Sequence, residues 1–214
     1  MSHGDHVVFV HGLRMRGTES LWLRRHLEKQ FAFQTSVFRY ATLSDSLDVV
    51  ANRLANEVAA LNARRLHFIG HSLGGLVLLR LFSACESALD RPGRVVLLGS
   101  PVAGSLAARG VGSRAFGRAF MGRIAADELL TECERRWSAS RELGVIAGTR
   151  SIGLGRFFAG FGEPNDGTVA VRETRIEGAA DHVVLPVSHM GMLLSTTVAA
   201  SCGRFLRDGR FGLR

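Results

Sequence analysis

The chain has 214 residues, 46% of them hydrophobic and 21% charged. It is long enough to bury a large core, shows no linker-like break, and is expected to form one domain over residues 1–214; the balance excludes disorder. A formal charge of +8 invites nucleic-acid binding, but Lys29 is the only lysine among 27 basic residues and the arginines are scattered along the whole chain. Solvated surface charge is therefore expected, and no nucleic-acid partner; a basic face for an acidic partner or a membrane surface is the alternative.

Cys85, Cys133 and Cys202 are odd in number and widely spaced, which fits neither a metal site nor a disulfide framework. Reduced, mostly buried thiols are expected. The polar start Met1–Asp5 and the brief apolar run Val7–Val10 match neither an export signal nor a membrane span, so a cytoplasmic location is expected.

Taken in order, His6–Val10 is β-branched and apolar and reads as a buried strand ending in His11-Gly12-Leu13. Thr18 or Ser20 can cap a helix to about Gln30, with Leu21, Trp22, Leu27 and Phe31 on its apolar face. Phe33–Tyr40 returns as a strand. Ser44 or Asp45 can cap the next helix, where Leu47, Val50, Leu54, Val58 and Leu61 fall at spacings of three and four. Leu66–Ile69 is a short strand, Leu76–Phe82 an apolar helix, and Arg94–Leu98 another strand. This alternation implies a parallel sheet with right-handed crossovers and helices on both faces.

From Leu106 to Leu143 the pattern is less determined. Phe116, Phe120 and Ile124 recur every four residues, as in an amphipathic helix, while the glycines at 110, 112, 117 and 122 argue against one long rigid element. Two readings stay open: a lid or membrane-facing helix over a cleft, and a helix packed on the sheet. Leu143–Ala147 then reads as a strand, Gly153–Gly162 as a glycine- and phenylalanine-rich loop, Ala180–Val187 as the last strand, and Leu193 to about Leu206 as a closing helix.

The chemistry centres on Gly70-His71-Ser72-Leu73-Gly74-Gly75, which lies between a strand and a helix. This is the G-x-S-x-G pattern of a nucleophile elbow, in which a sharp turn aims a serine hydroxyl off the end of a sheet. The turn leaves no room for side chains two residues either side, and both positions are glycine. The Leu73 N–H, first in its helix, is a candidate oxyanion donor, and the Leu13 N–H after His11-Gly12 is the second.

Asp166, in an Asn-Asp-Gly turn, and His189, after the last strand, complete the chain order Ser72, Asp166, His189. A serine needs a neutral imidazole to take its proton, and the imidazole needs a carboxylate to fix its tautomer. His182 is the rival base but should face the sheet from within a strand; His11 should support the oxyanion loop, and His71 should point away from the Ser72 hydroxyl. His3, His6, His26 and His67 show no partner pattern. Ser100 and Ser105 are read as loop and capping residues. There is no H-E-x-x-H, no C-x-x-C and no phosphate loop, so neither a metal nor an organic cofactor is expected.

Val10-His11-Gly12-Leu13, Gly70-His71-Ser72-Leu73-Gly74-Gly75, Gly99-Ser100-Pro101 through Gly104-Ser105, Asn165-Asp166-Gly167-Thr168-Val169 and Ser188-His189-Met190 together resemble the small bacterial esterases and lipases of the α/β-hydrolase superfamily. The resemblance runs from Val7 to about Leu206. It implies an α/β-hydrolase fold and hydrolysis of a small-molecule ester or acyl-lipid through an acyl-enzyme, without a cofactor. Thioesterase, acyltransferase and amidase variants share the same triad, and a non-catalytic binding protein on the same fold is the alternative of a different class.

Overall fold

The structure, a computed structural model, describes residues 4–104, 135–152 and 162–212. The expected lid segment 106–143 therefore lies outside the described residues over 106–134, as do Ser105, Cys133, His3 and the loop 153–161. Residues 135–142 are described and form no helix.

The elements in chain order are β1 (Asp5–Val10), α1 (Leu21–Phe31), β2 (Gln34–Phe38), α2 (Leu47–Ala59), β3 (Arg65–His71), α3 (Leu73–Cys85), β4 (Val95–Leu98), β5 (Leu143–Gly148), β6 (Asp181–Leu185) and α4 (Thr196–Asp208). The strands form one six-stranded sheet in the order β2-β1-β3-β4-β5-β6. Every pairing is parallel, as the strand and helix alternation requires.

Chain order runs outward from β1 in two directions: to the edge at β2, then back across β1 to β3 and onward to β6. The loops leaving the carboxyl ends of β1 and β3 thus diverge and open a crevice between them, the switch point at which ligands bind in sheets of this kind. Both His11-Gly12-Leu13 and Ser72 sit there.

Because successive strand residues face opposite ways, the sheet feeds two cores. Val8 and Val10 of β1, Leu66 and Phe68 of β3 and Leu97 of β4 pack with α2 and α3. Val7, Phe9, Ile69, Val96 and Ile146 pack with α1 and α4. Helix α3 is apolar nearly all round because it lies between the sheet and α2, burying Leu73, Leu76, Val77, Leu78, Leu81 and Phe82. Each such side chain contributes roughly 1.5–3 kcal/mol on burial.

Some boundaries differ from those expected. Helix α2 is capped by Ser46, whose side chain accepts from the Val49 N–H, and not by Ser44 or Asp45; the Ser44 hydroxyl instead donates to Asp45, which pairs with Arg53. The Ser20 hydroxyl donates back to Gly17 O at 2.6 Å rather than capping α1. The last strand is shorter than expected and stops before Pro186. The closing apolar stretch divides into a 3-10 turn at Gly191–Leu194 and α4, with Ser195 between them capping α4 by accepting from the Val198 N–H.

Several of the described arginines are committed within the fold. Arg91 donates to Val58 O and Leu61 O at the end of α2, and Arg94 to Leu206 O and Arg207 O at the end of α4, where exposed carbonyls and the helix dipole favour a cation. Arg141 is buried beneath the sheet, donating to Leu66 O, Leu89 O and Arg91 O. Its guanidinium lies 5.2 Å from the centre of the Phe82 ring. Burial pulls its pKa down to about 10, which still leaves it charged at neutral pH. Cys202 is fully buried, which pushes its thiol up to about 12, and Cys85 is half-buried. No helix among the described residues is long and apolar enough to cross a membrane.

Candidate active site

Strand β3 ends at His71 and α3 begins at Leu73, so Ser72 alone makes the turn. Its backbone has φ 53 and ψ −122, a positive φ that a serine adopts at a cost of order 1–3 kcal/mol. The sequence allows it because the neighbours are bare. A Cβ on Gly70 would stand 2.8 Å from Gly75 Cα, and one on Gly74 would overlap the Val10 carbonyl oxygen. The expected elbow is therefore present, with α3 pressed against β1 and β3.

Ser72 N–H donates to Leu98 O at 2.9 Å, which extends the β3–β4 ladder through the turn. The Ser72 side chain is half-buried and makes no hydrogen bond with a described residue, His189 included; such contacts tighten when substrate binds.

Asp166 and His189 meet as expected. Asp166 is fully buried and its Oδ2 accepts from His189 Nδ1 at 2.8 Å. The other carboxylate oxygen, Oδ1, accepts from the Thr168 N–H at 2.9 Å and the Val169 N–H at 2.7 Å. Backbone joins the two as well, since His189 N–H donates to Asp166 O at 2.9 Å. Asp166 is held in its turn by Asn165, whose Oδ1 accepts from the Gly167 N–H at 3.0 Å. With its Nδ1 proton given to Asp166, His189 carries its free lone pair on Nε2.

The β1 loop lies against the elbow. A Cβ on Gly12 would be 3.1 Å from Ser72 Cβ and 3.0 Å from Met15 Sδ. Among the described residues neither the Leu13 nor the Leu73 N–H donates a hydrogen bond. Arg14, next to Leu13, is one of three described non-glycine residues with positive φ, at 57.

His11 supports this loop as expected: its Nδ1 donates to Gly12 O at 3.0 Å, its Nε2 accepts from the Tyr40 N–H at 3.4 Å, and its ring stacks on Tyr40 at 4.5 Å. The Tyr40 hydroxyl donates to His11 O at 2.8 Å. Burial lowers the His11 pKa and raises that of Tyr40, so both stay neutral.

His182 is elsewhere, with Nε2 2.9 Å from Thr174 Oγ1. His67 is a buried residue whose Nδ1 accepts from the Arg94 N–H. His6 pairs with Ser36, and His26 stacks against Trp22. Ser100 is fully buried, so it is not displayed as a second nucleophile would be.

Two residues at the site carry parts that the sequence did not assign. Gly99, at φ 53, lets the β4 loop close over the acid and base: a Cβ there would lie 2.8 Å from Asp166 Oδ2 and 3.1 Å from His189 Nδ1. A glycine ending a buried strand was the available signal. His71 is the other. It makes no hydrogen bond with Ser72 among the described residues and lies against His189, whose backbone oxygen is 3.1 Å from its Nε2. Among the described residues no group of three or more His, Cys, Asp or Glu side chains could hold a metal ion.

The arrangement has counterparts among known proteins. The chain resembles Bacillus licheniformis lipase BlEst2 in its mature form with a TM-score of 0.70 at 17% identity, over 97% of this chain and 92% of that one. It resembles the metagenomic carboxyl esterase MGS0156 with a TM-score of 0.65 at 18% identity, over 88% of this chain and 65% of that one. A third match is the Vlm2 thioesterase domain, with a TM-score of 0.60 at 14% identity, over 97% and 94% of the two chains. Identities this low speak for the fold alone. Comparison with curated proteins gives no match. The family model described as "Alpha/beta hydrolase family" matches residues 7–201. With an elbow at Ser72 on the switch point of a parallel sheet, and that match over most of its length, the chain belongs to the alpha/beta hydrolase family.

Proposed function

We propose that this chain is a serine hydrolase that cleaves carboxylic esters, acyl-lipids among them, through an acyl-enzyme. Ser72 is the nucleophile, His189 the general base and Asp166 the acid that orients it, with the Leu13 and Leu73 N–H groups as oxyanion donors. The observation that carries the reading is the buried 2.8 Å bond from His189 Nδ1 to Asp166 Oδ2, in a protein whose elbow serine is held at positive φ. Burying a carboxylate is costly unless it is paired and hydrogen-bonded. Here one oxygen takes two backbone N–H groups and the other is committed to a single imidazole.

In the first half-reaction His189 Nε2 takes the Ser72 proton as Oγ attacks the ester carbonyl. The carbonyl oxygen becomes an oxyanion facing the two N–H groups, and Asp166 stabilises the imidazolium. Collapse breaks the bond to the leaving alkoxide, which receives the proton from His189 Nε2 and departs as an alcohol. Water then repeats the sequence on the acyl-enzyme: His189 takes its proton, the acid is released and Ser72 regains its hydrogen. The strained backbone at Ser72 supports the reading because it presents Oγ before substrate arrives.

The neighbours named lipase and carboxyl esterase favour an ester over an amide, and the one named thioesterase makes a thioester the second substrate to try. The test is turnover of p-nitrophenyl acyl esters of increasing chain length, with the acyl thioesters in parallel. Ser72→Ala is expected to reduce kcat by about 10⁵–10⁶. Folded wild-type protein that hydrolyses neither series would contradict the proposal and leave a binding protein on a hydrolase fold.

A further inference from the structure

His71 ends β3 directly before Ser72, and strand alternation puts its ring on the same face as His67 and Ile69, where the loop carrying His189 enters. It is fully buried, and its ring centre is 4.7 Å from that of His189. Its Nε2 lies 3.1 Å from His189 O. A carbonyl can only accept, so Nε2 carries the proton and donates.

Nδ1 is then the bare nitrogen, and it is buried without a partner among the described residues. It faces the other half of the site, since a Cβ on Gly12 would be 3.3 Å from it. One imidazole therefore spans from the backbone of His189 to the loop that holds Leu13.

A residue that only filled space here would be better apolar, because it would leave no buried nitrogen unpaired. What the histidine adds is one directed bond without a charge. His189 is held by its N–H from Asp166 O and by its carbonyl from His71. Both attachments come from the chain segments that carry the other two members of the triad. Burial, with His189 beside it, pushes the His71 pKa down to about 3; its ring stays neutral and does not oppose the imidazolium that forms 4.7 Å away.

We propose that His71 is a positioning residue for the reaction: its Nε2–H bond to the His189 carbonyl fixes the base at the height of the Ser72 hydroxyl. This rests on the reading of His189 as the base. A shift of the base by 1 Å costs about 100-fold in rate, and Ser72 and His71 are adjacent, so the bond ties the base to the nucleophile's own strand.

The experiment compares His71→Gln, His71→Asn and His71→Phe. The amide nitrogen of glutamine reaches where Nε2 was, that of asparagine only where Nδ1 was, and phenylalanine keeps the ring without a donor. Asparagine and phenylalanine should lower kcat by about 10- to 100-fold with KM within about three-fold, and slow fluorophosphonate labelling of Ser72 in proportion. Glutamine should recover the greater part of both rates.

In ¹⁵N-histidine spectra of the wild-type protein, His71 should be the neutral Nε2–H tautomer throughout pH 5–8. That measurement decides the matter even if the variants fail to fold. An Nδ1–H tautomer or an imidazolium at His71, wild-type kcat in the phenylalanine variant, or glutamine falling as far as asparagine would each overturn the proposal. Activity that survives Ser72→Ala would instead overturn the functional reading, and the tautomer would still report on the hydrogen bond.

Discussion

At the amino end of the sheet, Arg141 lies buried with its guanidinium donating to three carbonyls and resting on Phe68 and Phe82. At the carboxyl end, Ser72 sits at positive φ, the Leu13 and Leu73 N–H groups have no partner among the described residues, and His71 Nδ1 is buried and unpaired. Both ends bury polar groups, but Arg141 spends its donors on carbonyls, whereas the Leu13 and Leu73 N–H groups stay open among the described residues. Satisfied groups hold a fold together; strain and unspent donors are tolerated where a ligand will use them. The two ends should therefore fail in different ways when altered.

The largest effect is expected at the carboxyl end. Asp166→Asn should lower kcat by about 10⁴ through the wrong His189 tautomer while leaving most of the stability in place, as steady-state kinetics beside thermal unfolding will show. Equal losses of rate and stability would erase the distinction between the two ends.

Arg141→Ala makes the converse test. It leaves three carbonyls short of a donor and removes an aromatic contact, so urea unfolding should report a loss of about 2–4 kcal/mol, with kcat per folded molecule unchanged. A fall in kcat without loss of stability would show that the amino end is coupled to the site.

Acidity should act on both ends at once. Burial pushes His67 down to about 4 and His71 to about 3, against an ordinary value of 6.5. The unfolded chain therefore takes up protons near pH 6.5 that the native protein refuses. The stability these histidines confer is complete above pH 6.5 and is lost as the pH falls toward 4, by about 3 kcal/mol for His67 alone. Unfolding free energies of wild type and His67→Gln from pH 7 to 4 should show the slope and its reduction; parallel curves would refute it. The smallest effect is expected from His182→Ala, which bonds Thr174 away from the site and should change kcat/KM by less than about three-fold.

The elbow was legible because its geometry dictates residue types: only glycine fits at Gly70 and Gly74, and the serine must lie between a strand and a helix. Asp166 and His189 were legible together, from their order along the chain and their places in loops, and the structure joins them. The part played by His71 was hidden because its partner is a backbone carbonyl 118 residues away, which leaves no trace in side-chain patterning. The cap of α2 was missed because Ser44, Asp45 and Ser46 are all competent and only backbone conformation chooses Ser46. The break at Ser195 was hidden because apolar residues recur across it: Met192 and Leu193 of the 3-10 turn and Val198, Ala199 and Cys202 of the helix bury in one core. Arg141 gave no signal, since nothing in its neighbourhood in the sequence marks it as an arginine that goes inside.

The central claim is that Ser72 is the nucleophile and that the Asp166–His189 pair activates it. Fluorophosphonate labelling of the folded protein, with the modified residue located by peptide mass spectrometry, tests this directly. Stoichiometric label on Ser72 is expected in the wild type and nearly none in His189→Ala. Label on another serine, or on Ser72 at an undiminished rate without His189, would contradict it.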